Sequence, residues 1–301
     1  MFRLKINPFN YKKLTRSQFL RWGLLQTIAL IKIAKLVTFE VIKVDERGKI
    51  VKRNFKQALS TTYILRNDVE IEFIYIPGGS FLRGSPLQEK YRDSDESPQH
   101  LVKIAPFWMS KYPITQAQYR AITGVNPSGF SGHNHPVERV SWYDALRFCA
   151  IASQKLRKTV KLPSEAQWEY ACRAGNQTTF SFGDTLTANL ANYRATATYA
   201  QESPGIFRAQ TTEVGIFPPN AFGIHDLHGN VWEWCADTYQ DNYQQAPTDD
   251  RSWVIEDNDH LHVLRGGSWF VDPRNCRSAV RVWDFNSVIL HDVGFRVIIS
   301  R

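Results

Sequence analysis

Between residue 180 and the C terminus, no stretch keeps its apolar residues at helical spacing long enough for a long helix. Short β-like runs there alternate with turns rich in Gly, Pro and Asn. This feature limits the fold most. With earlier helices and strands it leaves an α+β architecture with unusually much irregular loop, which needs internal braces. A core is affordable, because 43% of the 301 residues are hydrophobic and 22% charged.

Two helices are legible before residue 180. Ser141 caps the first, with Asp144 reaching back to its amide and Ala145, Phe148, Cys149 and Ala152 facing inward. Ser164 and Gln167 play the same parts in the second, which buries Trp168, Ala171 and Cys172 and stops at Gly175. Alternation over residues 39–52, broken by Asp45-Glu46-Arg47-Gly48, predicts a hairpin. A second extended pair is expected within residues 62–76.

Charge is distributed unevenly. Residues 1–60 hold 14 Lys and Arg against 3 acids, and the remainder 23 against 26. Residues 1–36 are therefore read as a basic, helical N-terminal segment that docks on the protein or a partner subunit, with an anionic membrane surface as the alternative. No nucleic-acid-reading module accompanies the charge, so nucleic acid is not an expected partner. Residues 37–70 are read as a β-hairpin lead-in and 71–301 as the main domain. Four widely spaced cysteines without a CxxC pair point to a reducing, cytoplasmic compartment. Thr15-Arg16-Ser17-Gln18-Phe19-Leu20 is a degenerate twin-arginine-like signal, which keeps export as the other reading.

In His225-Asp226-Leu227-His228-Gly229-Asn230-Val231-Trp232-Glu233-Trp234, two carboxylates flank carbonyls that could meet on one Ca²⁺. Spacing alone favours acids that cap turns while the tryptophans fill core. Arg265, Arg277, Arg281 and Arg296 are read as scaffold arginines bonding carbonyls and carboxylates rather than as an anion site. Cys276 is read as a packed thiol.

Ile76-Pro77-Gly78-Gly79-Ser80-Phe81, Leu162-Pro163-Ser164-Glu165-Ala166-Gln167-Trp168-Glu169-Tyr170-Ala171, Gly229-Asn230-Val231-Trp232-Glu233-Trp234, Arg265-Gly266-Gly267-Ser268-Trp269 and Gly294-Phe295-Arg296 occur in that order. The chain thereby resembles the formylglycine-generating-enzyme (sulfatase-modifying factor) family. The resemblance implies a C-type-lectin-like fold and raises the calcium reading, with Asp226 and Glu233 as side-chain ligands and Gly229 and Val231 as carbonyl ligands. A second family calcium site would involve Asn192 and Tyr193, but its acidic partner is not evident. The family's oxidases hold copper with two cysteines five residues apart. Here those positions are Val271 and Cys276, and a valine methyl cannot ligate a soft metal. No other catalytic constellation is found. The histidine domain that accompanies related sulfoxide synthases is also missing, since residues 1–70 contain no histidine.

Residues 264–297 further resemble the C-terminal variable region of diversity-generating-retroelement variable proteins, where a fixed framework surrounds codons randomised at adenines. The resemblance implies a ligand-binding, non-enzymatic variable protein with a hypervariable region at residues 270–293. Its expected ligand contacts are Phe270, Val271, Asp272, Val280, Val282, Trp283, Asp284, Phe285, Asn286, Val288, Ile289, Leu290, His291 and Asp292. Residues 282–293 mix large apolar groups with Asp284, His291 and Asp292 in no clear period, so some are expected to face solvent as a binding patch. The alternative is a copper-dependent formylglycine-generating oxidase acting on protein cysteine. A scaffold or regulatory subunit is a third reading.

Overall fold

Ser141 and Ser164 open their helices as the sequence predicts. Each hydroxyl accepts the amide of the residue three positions on, at 3.1 Å, and each amide donates back to the Asp144 or Gln167 side chain at 3.0 Å. In the computed structural model, which describes residues 34–66, 68–255 and 260–300, these are α2 (Trp142–Leu156) and α3 (Glu165–Arg173). The helix α3 ends at Ala174, in the left-handed region with φ 44°. A third helix, α1 (Gln116–Thr123), was not anticipated. Thr115 and Gln118 form its capping box, but Tyr119 and Ile122 are its only buried apolar residues, too few to declare a period.

Residues 36–301 pack as one unit. The expected N-terminal helix falls almost wholly outside the described residues. Its last residues, from Ala34, already belong to a strand. The strands are β1 (Ala34–Val44), β2 (Ile50–Arg66), β3 (Val69–Ile76), β4 (Gly79–Arg83), β5 (His100–Ile104), β6 (Phe107–Ser110), β7 (Val160–Lys161), β8 (Trp232–Thr238), β9 (Leu261–Arg265), β10 (Arg281–Phe285), β11 (Val293–Gly294) and β12 (Ile298–Ile299). β1 and β2 are joined by a turn in which Gly48 N–H donates to Asp45 O at 2.9 Å. They continue into a six-stranded sheet ordered β1-β2-β3-β6-β12-β7, so residues 37–70 and the main domain share one sheet. A four-stranded sheet runs β10-β9-β8-β11, and β4 pairs with β5.

The last strands return to the middle of the molecule. Phe295 stacks edge-on against Phe148 of α2 at 5.2 Å, and Phe148 lies parallel to Tyr119 of α1 at 5.7 Å. Burial of such rings is the main favourable term holding helices to sheet. Trp168, Ala171 and Cys172 of α3 pack with Val263 and Ile298 in a second cluster. This α+β arrangement is a C-type-lectin-like fold, and it sets β8, β9 and β10 side by side in one sheet, with β10 at its edge.

Candidate ligand-binding site

The four scaffold arginines reach carboxylates from elements far away in sequence. Arg281 grips Glu165 with two bonds, 2.8 and 3.0 Å, and Arg83 donates to the same carboxylate at 2.6 Å. Arg265 bonds Glu169 at 2.5 Å and the carbonyls of Ser278 and Ala279 at 2.9 and 2.6 Å. Arg277 holds Glu96 with two bonds and Glu89 with one. Arg296 holds Glu233 with bonds of 2.6 and 2.8 Å. All four are buried. Burial works against the charge of Glu165, but Arg281, Arg83 and Arg265 outweigh it and hold its carboxyl well below the usual range. Bidentate guanidinium pairs of this kind fix irregular backbone where no ladder can.

On this base the predicted contact residues separate into three groups. Phe270 (47% exposed), Trp283 (45%), Phe285 (56%) and Ile289 (58%) face solvent. Val271, Asp272, Val282, Asp284, Val288, Leu290 and His291 are half-buried; of these Val271, Val282, Val288 and Leu290 lean on the core. Val280, Asn286 and Asp292 are buried and do not line the surface. Val280 enters the core beside Phe295. Asn286 donates its side-chain amide to Tyr143 Oη at 2.9 Å, and Asp292 accepts from Ser268 Oγ at 2.7 Å. These three hold the loop that carries their neighbours.

The missing period also has an explanation. Residues 281–285 do alternate, with Arg281, Trp283 and Phe285 on one face of β10 and Val282 and Asp284 on the other. The signal was hidden because a buried arginine shares a face with exposed aromatics. The Trp283 ring lies 6.0 Å from Tyr239 and 6.2 Å from Phe285. Tyr239 was not predicted; it follows β8 and carries no motif. A separate aromatic group joins Phe270 to Trp269 and His291, with ring centroids 5.2 and 5.8 Å from Phe270. Arg194, paired with Asp272 at 2.9 Å, lies 6.0 Å from the Phe270 ring.

At the oxidase positions, Val271 touches two core clusters and Cys276 is fully buried. Burial, reinforced by Asp272, pushes the Cys276 thiol far above its usual range, the opposite of a metal-ready thiolate.

The expected calcium ligands sit on a sharply turned segment in which Asp226, Gly229 and Asn230 all have positive φ, at 57°, 100° and 70°. A Cβ on Gly229 would fall on Asn192 O. Asp226 Oδ2 accepts from Gly215 N at 2.7 Å, whereas its Oδ1 is buried without a partner. Burial pushes this carboxyl up to about 7. Glu233 Oε2 takes bonds from Arg296 and Trp168, but Oε1 takes one, leaving acceptor capacity. The orphaned, buried Asp226 Oδ1 is an oxygen that suits a hard cation, while Glu233 is engaged by Arg296 and Trp168 and Gly229 O accepts from Val231 N–H.

Fold and site together define a class: a lectin-like domain in which buried arginine–carboxylate pairs support a loop-and-strand surface bearing exposed aromatics. Residues 65–301 match the "Sulfatase-modifying factor enzyme 1-like domain", and the chain belongs to that family. It is 32% identical over 226 residues to the formylglycine-generating enzyme of Mus musculus, covering 73% of this chain and 57% of that protein. Thus it spans little more than half of that relative's length. Among solved structures, PvdO from Pseudomonas aeruginosa superposes with a TM-score of 0.71 at 33% identity, covering 80% of this chain and 98% of that one. Treponema denticola variable protein 1 superposes at 0.69 with 26% identity, covering 80% and 99%. The chain is therefore similar both to named enzymes and to a named variable protein.

Proposed function

We propose that this protein is a ligand-binding variable protein of a diversity-generating retroelement, displaying a diversified surface from residues 270–293 and performing no chemistry on what it binds. One observation carries the reading: Phe270, Trp283, Phe285 and Ile289 are exposed on the segments that the resemblance assigns to the variable region. Aromatic side chains supply much of the energy at binding hot spots, and three of these four are aromatic. Similarity to Treponema denticola variable protein 1 supports it. The test is genomic: a near-identical repeat of codons 270–293, differing at adenines and lying beside a reverse-transcriptase gene, is the expected result. Invariance of these codons among closely related strains would refute it.

The second reading, a copper-dependent oxidase of protein cysteine, is favoured by identity to formylglycine-generating enzymes. Val271 and a buried, neutral Cys276 argue against it. Stoichiometric copper binding with turnover of a cysteine peptide would establish it in place of the binding role. We further propose a structural Ca²⁺ held by Asp226 and Glu233 with the Gly229 and Val231 carbonyls. A cytoplasmic location, and a basic segment over residues 1–36 that meets a partner subunit or membrane surface, complete the proposal.

A further inference from the structure

Resting on the binding role above, we propose that the ligand of the C-terminal face is an extended, basic polypeptide segment that joins β10 as an added strand. β10 ends its sheet, with only β9 beside it. Three hydrogen bonds show which of its backbone groups are free. Asn286 N–H donates to His260 O at 2.8 Å, continuing the β10–β9 ladder. Tyr239 N–H donates to Leu261 O at 2.8 Å, so Leu261 faces β8 and not β10. Phe285 N–H donates to the Asp284 side chain at 2.8 Å instead of to β9.

Residues of an antiparallel strand alternate between facing their partner and facing away. The bonded pairs are therefore Val282↔Leu264 and Asp284↔His262, and both the N–H and C=O of Trp283 point out of the sheet edge. Among the described residues no backbone bond outside the sheet ladders engages either group. An unpaired edge of this kind is a template for an incoming strand, whose main chain supplies affinity and whose alternate side chains supply specificity. The side chains of Trp283 and Phe285 stand at that same edge, where they would clasp alternate residues of the arriving segment.

Charge selects the kind of peptide. Asp284 lies half-buried on β10, on the face opposite Trp283 and Phe285. The nearest cation of the strand, Arg281, is committed to Glu165. An incoming segment with Lys or Arg at alternate positions complements this rim.

The probe is a random dodecapeptide phage library panned on the immobilised full chain. Enriched peptides are expected to be net positive and to alternate in character. Backbone N-methylation at every second residue should weaken binding at least tenfold in one register and be tolerated in the other, because only one register faces β10. Bound peptide should also slow hydrogen exchange at the Trp283 amide. Methylation tolerated in both registers, or unchanged Trp283 exchange, with binding still lost in Trp283→Ala, overturns strand addition and leaves the binding role intact. Peptides that bind Trp283→Ala and Phe285→Ala as tightly as the wild type overturn both. Failure of any peptide to enrich over an unrelated control protein overturns the polypeptide assignment.

Discussion

Replacing Glu165 by Gln tests the division between support and display most directly. Glu165 is fully buried and accepts from Arg83 at 2.6 Å, from Arg281 at 2.8 and 3.0 Å and from Tyr243 at 2.9 Å, with Arg265 Nε 3.8 Å away. Glutamine keeps one acceptor oxygen and turns an NH₂ group toward guanidinium donors. Buried cations then lose their neutralising charge. Removing one partner of a buried ion pair costs about 3–5 kcal/mol, because the other charge is left without compensation. Three arginines share this carboxylate, so the upper end applies, which is a large part of the roughly 5–15 kcal/mol that keeps a domain folded. For a domain of this size the loss corresponds to a fall of about 8–20 °C in melting temperature. Trp283→Ala, about half exposed and outside the described core clusters, should change stability by less than about 1 kcal/mol. Urea unfolding followed by tryptophan fluorescence for Glu165→Gln, and by far-ultraviolet circular dichroism for Trp283→Ala, measures both. A Glu165→Gln loss below 1 kcal/mol, or equal losses for the two variants, would falsify the claim that buried ion pairs carry the surface.

Three other outcomes are expected. Gly267 has φ 78° and a Cβ there would lie 2.5 Å from Cys276 Sγ, so Gly267→Ala should cost about 2–4 kcal/mol, and Cys276→Ala in the same chain should recover part of it in a double-mutant cycle. Burial raises Asp237 from 3.8 to about 6. Between those values the folded state binds the extra proton, so this residue's contribution is present below pH 4 and lost as pH rises through 6. The unfolding free energy of the wild type, taken relative to that of Asp237→Asn, should therefore fall by about 3 kcal/mol as pH rises across that window in pH-resolved urea titrations. Calcium at a hundredfold excess over its Kd should stabilise the wild type by about 2.7 kcal/mol, reversed by chelator, and Asp226→Asn should abolish the response; calorimetry that shows none removes the proposed ion.

Much of this was legible in the chain because it is local. The capping boxes at Ser141 and Ser164, the Gly48 turn and the inward faces of α2 and α3 each involve residues within a few positions of one another, so spacing alone specifies them. The helix at Gln116 escaped because two apolar residues make no period, although Thr115 and Gln118 already carried its cap. What the sequence could not reveal is which carboxylate each arginine takes. Arg281 and Glu165 are separated by 116 positions, and Arg277 and Glu96 by 181, so only the assembled sheets bring them together. The same holds for the surface. Val280 and Trp283 are equally apolar on paper, yet one is 3% exposed and the other 45%. Val280, just before β10, drops into the core cluster that holds Phe295, whereas Trp283 rises from the strand to a face that meets solvent and Tyr239, and only the packed structure makes that choice.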